Sequence, residues 1–153
     1  MRKIILILII PFLSYTQDLN SALNLHNTVR GYYDLKPLII NDSLNSIAKH
    51  RAKFLAEQDK ISFTDNGLGE SVFFTSYLVI SRDYFLEATL AWILEEYDEF
   101  SLNQILCSNC KEIGFGVSMN DDKVYVVAVY DKIYGDKSVT RNKTKNSIRK
   151  LRT

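Results

Sequence analysis

Glu112-Ile113-Gly114-Phe115-Gly116-Val117-Ser118-Met119 and Lys123-Val124-Tyr125-Val126-Val127-Ala128-Val129-Tyr130, separated by Asn120-Asp121-Asp122, decide the fold. Two runs rich in valine and aromatic residues, joined by three turn-forming residues, predict a β-hairpin. Upstream the period changes. Leu19, Ala22, Leu23, His26, Val29 and Tyr33 recur at helical spacing, which predicts a helix over 18–33 closed by Gly31 and Pro37. A second helix begins at Asn41 or Asp42, either of which makes a good N-cap. A third is expected from about Ser81 to Phe100, burying Tyr84, Phe85, Ala88, Ala91 and Trp92. Part of the β-rich stretch Ser71 to Ile80 reads as a further strand. Helices first and a terminal hairpin last indicate an α+β domain, with helices packed on an antiparallel sheet.

The two ends of the chain read differently from its body. Arg2 and Lys3, the apolar run Ile4 to Leu13, and the small residues Ser14 and Thr16 before Gln17 have the form of a secretory signal peptide over residues 1–16. An apolar run of about 10 residues is too short to span a bilayer, which takes roughly 20. Residues 17–135 then form one domain, ample for a single core. Its composition, 46% hydrophobic and 24% charged for the whole chain, is that of a globular protein. The net charge of +1 hides an asymmetry: residues 17–135 carry 10 basic and 17 acidic side chains, and residues 136–153 carry 7 basic and one acidic. The basic tail holds too little apolar material to fold by itself. Two readings stand for it: attachment to an anionic surface, or a solvated tail across its own acidic body. No aromatic residue is interleaved with its charges for base stacking, which argues against nucleic acid.

Few residues carry chemistry. Glu95 falls four residues after Ala91 and three after Trp92, on the apolar face of its expected helix. A carboxylate there must be paired, hydrogen-bonded or at the lip of a cleft; Arg30 and Arg51 are the candidate partners. His26 also lies on an apolar face and is expected to be a core histidine bonded to backbone, whereas His50, beside Lys49 and Arg51, is expected in solvent. Cys107 and Cys110, in Cys-Ser-Asn-Cys, are the chain's only cysteines. In an exported protein they suit a local disulfide. A redox-active pair is the sharper alternative, but the βαβ context for it is missing, and two thiolates supply half of a zinc site.

Six stretches, in order, resemble one family. Leu25-His26-Asn27-Thr28-Val29-Arg30 looks like the opening helix of the CAP superfamily, which includes cysteine-rich secretory proteins, venom allergens and plant pathogenesis-related proteins. Pro37 to Leu44 resembles the start of its second helix, Gly69-Glu70-Ser71 its Gly-Glu-Asn, and Trp92 to Glu95 its Trp-x-x-Glu. Ile113 to Val117 and Val124 to Asp131 resemble its last two strands. The resemblance implies an α-β-α sandwich and a cleft in which two glutamates and two histidines hold a divalent metal. Here the glutamates correspond to Glu70 and Glu95. The histidine positions correspond to Phe63 and, counting from Gln104, to Ser101. The family's usual disulfides are absent as well, so the chain reads as a member lacking both cleft histidines.

Two carboxylates without imidazole form a weak oxygen site, better suited to calcium or magnesium than to zinc. Glu70 and Glu95 are therefore only weak metal candidates, and no cofactor is expected. No nucleophile or base is read in the sequence to accompany them; the motif places no base beside Ser101. The expectation is a secreted, non-enzymatic domain, extracellular or periplasmic, that binds a lipid, glycan or protein partner. The alternatives are a metal-dependent hydrolase using Glu70 and Glu95, and a thiol-disulfide protein using Cys107 and Cys110. Val72-Phe73-Phe74, Tyr77-Leu78-Val79 and Tyr84-Phe85 supply apolar material for either a lipid-sized groove or the core. Asn41-Asp42-Ser43 and Asn142-Lys143-Thr144 match the N-glycosylation pattern, which matters only in a eukaryotic secretory pathway.

Overall fold

A computed structural model describes residues 19–76, 83–94 and 99–135. The expected signal peptide, the basic tail, Tyr77-Leu78-Val79 and Glu95 lie outside the described residues. The elements are α1 (Leu19–Gly31), β1 (Ile39–Ile40), α2 (Asp42–Gln58), β2 (Gly69–Ser76), α3 (Tyr84–Ile93), α4 (Glu99–Ile105), β3 (Glu112–Met119) and β4 (Lys123–Tyr130). The sheet order is β1-β3-β4-β2. β4 pairs antiparallel with both β3 and β2, and two-residue β1 joins β3 in parallel, so the sheet is mixed.

β4 is central and covered on both faces, which explains why seven of its eight residues are buried. Val124, Val126, Ala128 and Tyr130 face the layer of α1, α3 and α4, where Trp92, Phe73, Phe85 and Phe115 complete the larger core. Tyr125, Val127 and Val129 face α2 and meet Leu44, Ala48, Ala52 and Leu55. This is the α-β-α sandwich. Val72 and Phe73 are buried in it and build core rather than a groove; Phe85 is buried too and also borders a cavity.

α2 starts where its N-cap dictates. Asn41 has extended backbone, and its Oδ1 accepts from the amides of Ser43 at 2.8 Å and Leu44 at 3.1 Å. The helix then lies so close to β3 that only glycine fits beneath it. A Cβ at Gly114 would enter the backbone of Leu44 and Asn45, and one at Gly116 the backbone of Ala48 and Lys49. The helix ends at Asp59, a left-handed residue (φ 47°) held by Lys123, Tyr125 and Asn120. Those contacts hold the carboxyl of Asp59 down at about 2, mainly through the Lys123 hydrogen bond, and burial together with Asp59 pushes the Tyr125 phenol up to about 12.

The helix expected over 81–100 is instead two helices. Asp83 caps α3 by accepting from Leu86 N, and α3 stops at Leu94, whose φ, ψ of −83°, 0° leave the helical region. Four carboxylates follow within Glu95 to Glu99. Negative charge is unfavourable at a helix C-terminus and favourable at an N-terminus, so an acidic run suits the start of α4 better than the end of α3.

His26 is fully buried between these layers. Its Nδ1–H donates to Ala22 O at 2.9 Å, which leaves Nε2 to accept from the Tyr130 hydroxyl at 3.0 Å. Burial, with a smaller contribution from Arg30, lowers its pKa to about 4, so the ring is neutral at pH 7. Arg30 is buried too. It donates to Lys36 O (2.8 Å), Ile105 O (2.7 Å), Cys107 O (2.9 Å) and Cys110 O (3.3 Å). It thereby anchors α1 to the carbonyls at the end of α4, the negative pole of that helix.

Candidate functional site

Four segments converge at the end of the sheet where β2 begins and β4 finishes. They are the loop after α2, the start of β2, α4, and the residues following β4. Together they enclose an open recess of about 190 Å³ lined by Phe63, Leu68, Glu70, Phe100, Gln104, Ile133 and Tyr134, among others. The floor is polar, and the hydrogen bonds of Gln104 there go to protein groups. Gln104 Nε2 donates to Lys132 O at 2.8 Å and to Cys110 Sγ at 3.4 Å, and its Oε1 accepts from Tyr134 N at 2.8 Å. Gly69 is required beside it, because a Cβ there would strike the Gln104 amide and Lys132 O.

Glu70 lies on the α2 side of β2, opposite Val129. Arg51, one helix layer away, donates Nε–H to its Oε1 at 2.7 Å, and Thr64 N donates to Oε2 at 3.1 Å. Both side chains are nearly buried, at 10% and 6% exposure. The other end of the guanidinium donates to the carbonyl and hydroxyl oxygens of Ser62, and the Arg51 cation sits 5.3 Å from the Phe54 ring centroid. Arg51 and Glu70 thus tie residues 62–64 down and set Phe63 at the rim.

The rim is apolar. Phe63 is 59% exposed, Phe100 74% and Ile133 50%. Phe63 and Glu70, singled out from the sequence, do meet here. Ser101 is buried beneath the rim, next in the chain to Phe100, and is not among the lining residues. Arg51 was foreseen as a partner for Glu95; it pairs with Glu70, and the donors of Arg30 go to main-chain carbonyls. Phe100, Ile133 and Tyr134 were not foreseen. Each belongs to a different segment from Phe63, and no local pattern marks an aromatic residue as rim rather than core.

Cys107 and Cys110 form a disulfide beneath Gln104. Both are buried, at 3% and 2% exposure. His50 is exposed on α2.

The described residues do not fit a divalent metal at this cleft. The Glu70 carboxylate is already neutralised by the Arg51 guanidinium, and the two residues that the family resemblance sets at the histidine positions, Phe63 and Ser101, offer a phenyl ring and a hydroxyl. Among the described residues, no group of three or more His, Cys, Asp or Glu is placed to hold a metal ion. Nor, among them, is any helix long and apolar enough to cross a membrane.

Comparison with known proteins agrees with this architecture. The model of the CAP family, the cysteine-rich secretory protein family, matches residues 23–130. Among solved structures, the crystal structure of NaASP2 with Zn2+ superimposes with a TM-score of 0.61 at 16% identity, covering 81% of this chain and 92% of that one. MpPR-1i gives 0.57 at 19% identity over 77% of this chain and 89% of that one. Venom allergen-like protein 4 of Schistosoma mansoni gives 0.53 at 19% identity, over 76% and 93%. At such identities these neighbours speak to the fold alone. A search of curated proteins returns no match. Six family-like stretches, the α-β-α sandwich and a family match across most of the domain lead to one conclusion: the chain belongs to the CAP, or cysteine-rich secretory protein, family.

Proposed function

We propose that the chain is an exported, non-catalytic binding domain whose cleft takes an apolar group of a lipid, glycan or protein partner. The observation that carries this reading is the recess rimmed by exposed Phe63, Phe100 and Ile133 over a floor whose polar groups bond internally. A floor already bonded to protein has little to offer a polar substrate, whereas uncovered rings gain by burial, at about 25 cal/mol per Å² of apolar area. The alternative, a metal-dependent hydrolase using Glu70 and Glu95, needs Glu70 free; the Arg51 bond weighs against it. The thiol-disulfide alternative needs accessible sulfur, and the buried Cys107–Cys110 bridge weighs against that.

The test is titration of the full chain, followed by NMR, with a long-chain fatty acid, a sterol and an oligosaccharide. A ligand that perturbs Phe63, Gln104 and Tyr134 and loses about tenfold in affinity in Phe63→Ser supports the reading. Binding that is indifferent to both Phe63→Ser and Phe100→Ser sinks it.

A further inference from the structure

The β3 edge of the sheet is built to accept another strand. The ladder phase is set at the hairpin turn, where Asn120 N donates to Lys123 O at 3.0 Å, and at its other end, where Asp131 N donates to Glu112 O at 3.2 Å. Even-numbered residues of β3 therefore bond to β4, and Ile113, Phe115, Val117 and Met119 turn their main-chain groups away from it. β1 takes the first of these: Asn41 N donates to Ile113 O at 3.0 Å. Asn45 Oδ1 takes the next, accepting from Phe115 N at 2.9 Å. Beyond that point β1 has ended, and among the described residues no strand pairs with the carbonyl of Phe115, the amide and carbonyl of Val117, or the amide of Met119.

A cavity lies against this same stretch. It measures about 320 Å³ and is bounded by Phe115, Gly116 and Val117 of the strand. Leu19 and Phe85 wall it on the side of α1 and α3; Asn45, Ser46 and Lys49 wall it on the side of α2. Walls drawn from both helical layers mean that the layers overhang the sheet edge. The space between them adjoins the main-chain groups of Phe115 and Val117 that β1 does not reach. Its two walls differ in chemistry. Paired strand residues share a face, so a residue opposite Val117 turns toward Leu19 and Phe85, and its neighbours turn toward Ser46 and Lys49. Lys49 is exposed and has no ion pair among the described residues.

We propose that this slot docks an extended segment of a protein partner in which apolar and acidic residues alternate. Main-chain groups of β3 give the segment its hydrogen bonds, as in other cases of strand addition. The apolar wall and Lys49 select its side chains. This site is separate from the Phe63 cleft and does not depend on the reading given there.

The probe is a capped pentapeptide alternating valine and glutamate, added to the full chain and followed by amide NMR and hydrogen exchange. The expected result is slowed exchange at Val117 and Met119, with binding lost when the peptide's inward-facing amides are N-methylated. Lys49→Glu, at an exposed position, should reverse the preference by about tenfold toward a valine–lysine peptide. Unchanged exchange at Val117 and Met119 with excess peptide overturns the proposal, as does equal binding of the N-methylated peptide. Protection of those amides that grows with protein concentration alone also overturns it, because a second copy would then cover the edge.

Discussion

Arg51 Nε and Glu70 Oε1, 2.7 Å apart, join α2 to β2 through a nearly buried ion pair at the base of the cleft. The guanidinium stands beside the carboxylate that the family resemblance assigns to a metal, so the charge is balanced within the chain. Removing one member of such a pair leaves the other desolvated and unpaired, at a cost of about 3 kcal/mol. Arg51→Met is therefore expected to lower stability by about that amount in urea denaturation. Arg51→Met with Glu70→Leu should recover a large part of the loss. With excess calcium, magnesium or zinc, the wild-type chain is expected to show no rise in Tm that depends on Glu70. A Glu70-dependent rise would mean that metal displaces Arg51.

Acid should weaken the fold through His26. Its folded pKa of about 4 lies below the ordinary 6.5 because burial disfavours the charged ring. The unfolded chain binds that proton first as pH falls, so the stability is fully present above pH 6.5 and is lost as pH drops toward 4. The whole effect is about 3 kcal/mol. Urea midpoints at pH 7, 5.5 and 4.5 should fall progressively, and the slope over this window should flatten in His26→Gln. An equal slope in both proteins would place the acid sensitivity elsewhere.

Gly114 and Gly116 set how closely α2 approaches the sheet. Alanine at Gly114 places its Cβ in the backbone of Leu44 and Asn45, and backbone cannot yield as a flexible side chain can. Gly114→Ala should destabilise by about 2 to 3 kcal/mol, the upper range for overpacking. Gly31→Ala, where nothing lies within 4 Å, is the control and should change stability far less. Thermal unfolding of the two variants checks this.

The Cys107–Cys110 bridge closes a short loop, for which chain entropy predicts about 2 kcal/mol of stabilisation. Replacing both cysteines by serine should lower Tm and leave ligand affinity at the Phe63 cleft within about twofold of wild type. A larger loss of binding would show that the bridge holds Gln104, and through it the cleft floor, in its working position.

Much of the architecture was legible in local sequence. The hairpin Glu112–Met119 and Lys123–Tyr130 is where its β-rich runs and turn residues place it, and Asn41 caps α2 as its side chain allows. His26 is the backbone-bonded core histidine that its helical face implied. The break at Leu94 was not legible, because the apolar period of Tyr84 to Trp92 carries on to Glu95, which a longer helix could hold by pairing it or setting it at the lip of a cleft. The acidic run at its end has two meanings, poor as a C-terminus and good as an N-terminus, and only the packing of α4 selects the second.

The sequence by itself determined the terminal hairpin, the cap of α2 and the family, because these depend on residue type and on neighbours a few positions away. Tertiary structure alone decided what Glu70 does. Arg51 is 19 residues distant from it in the chain, and no periodicity relates a helix face to a strand position across a loop. The same holds for the rim, where Phe63, Phe100 and Ile133 meet from three segments. It holds also for the slot beside Val117, which exists because α1, α3 and α2 overhang an edge that β1 covers for only two residues. Hydrogen bonding and burial act on distance in space, and at these sites distance in space is set by the packing of the whole domain.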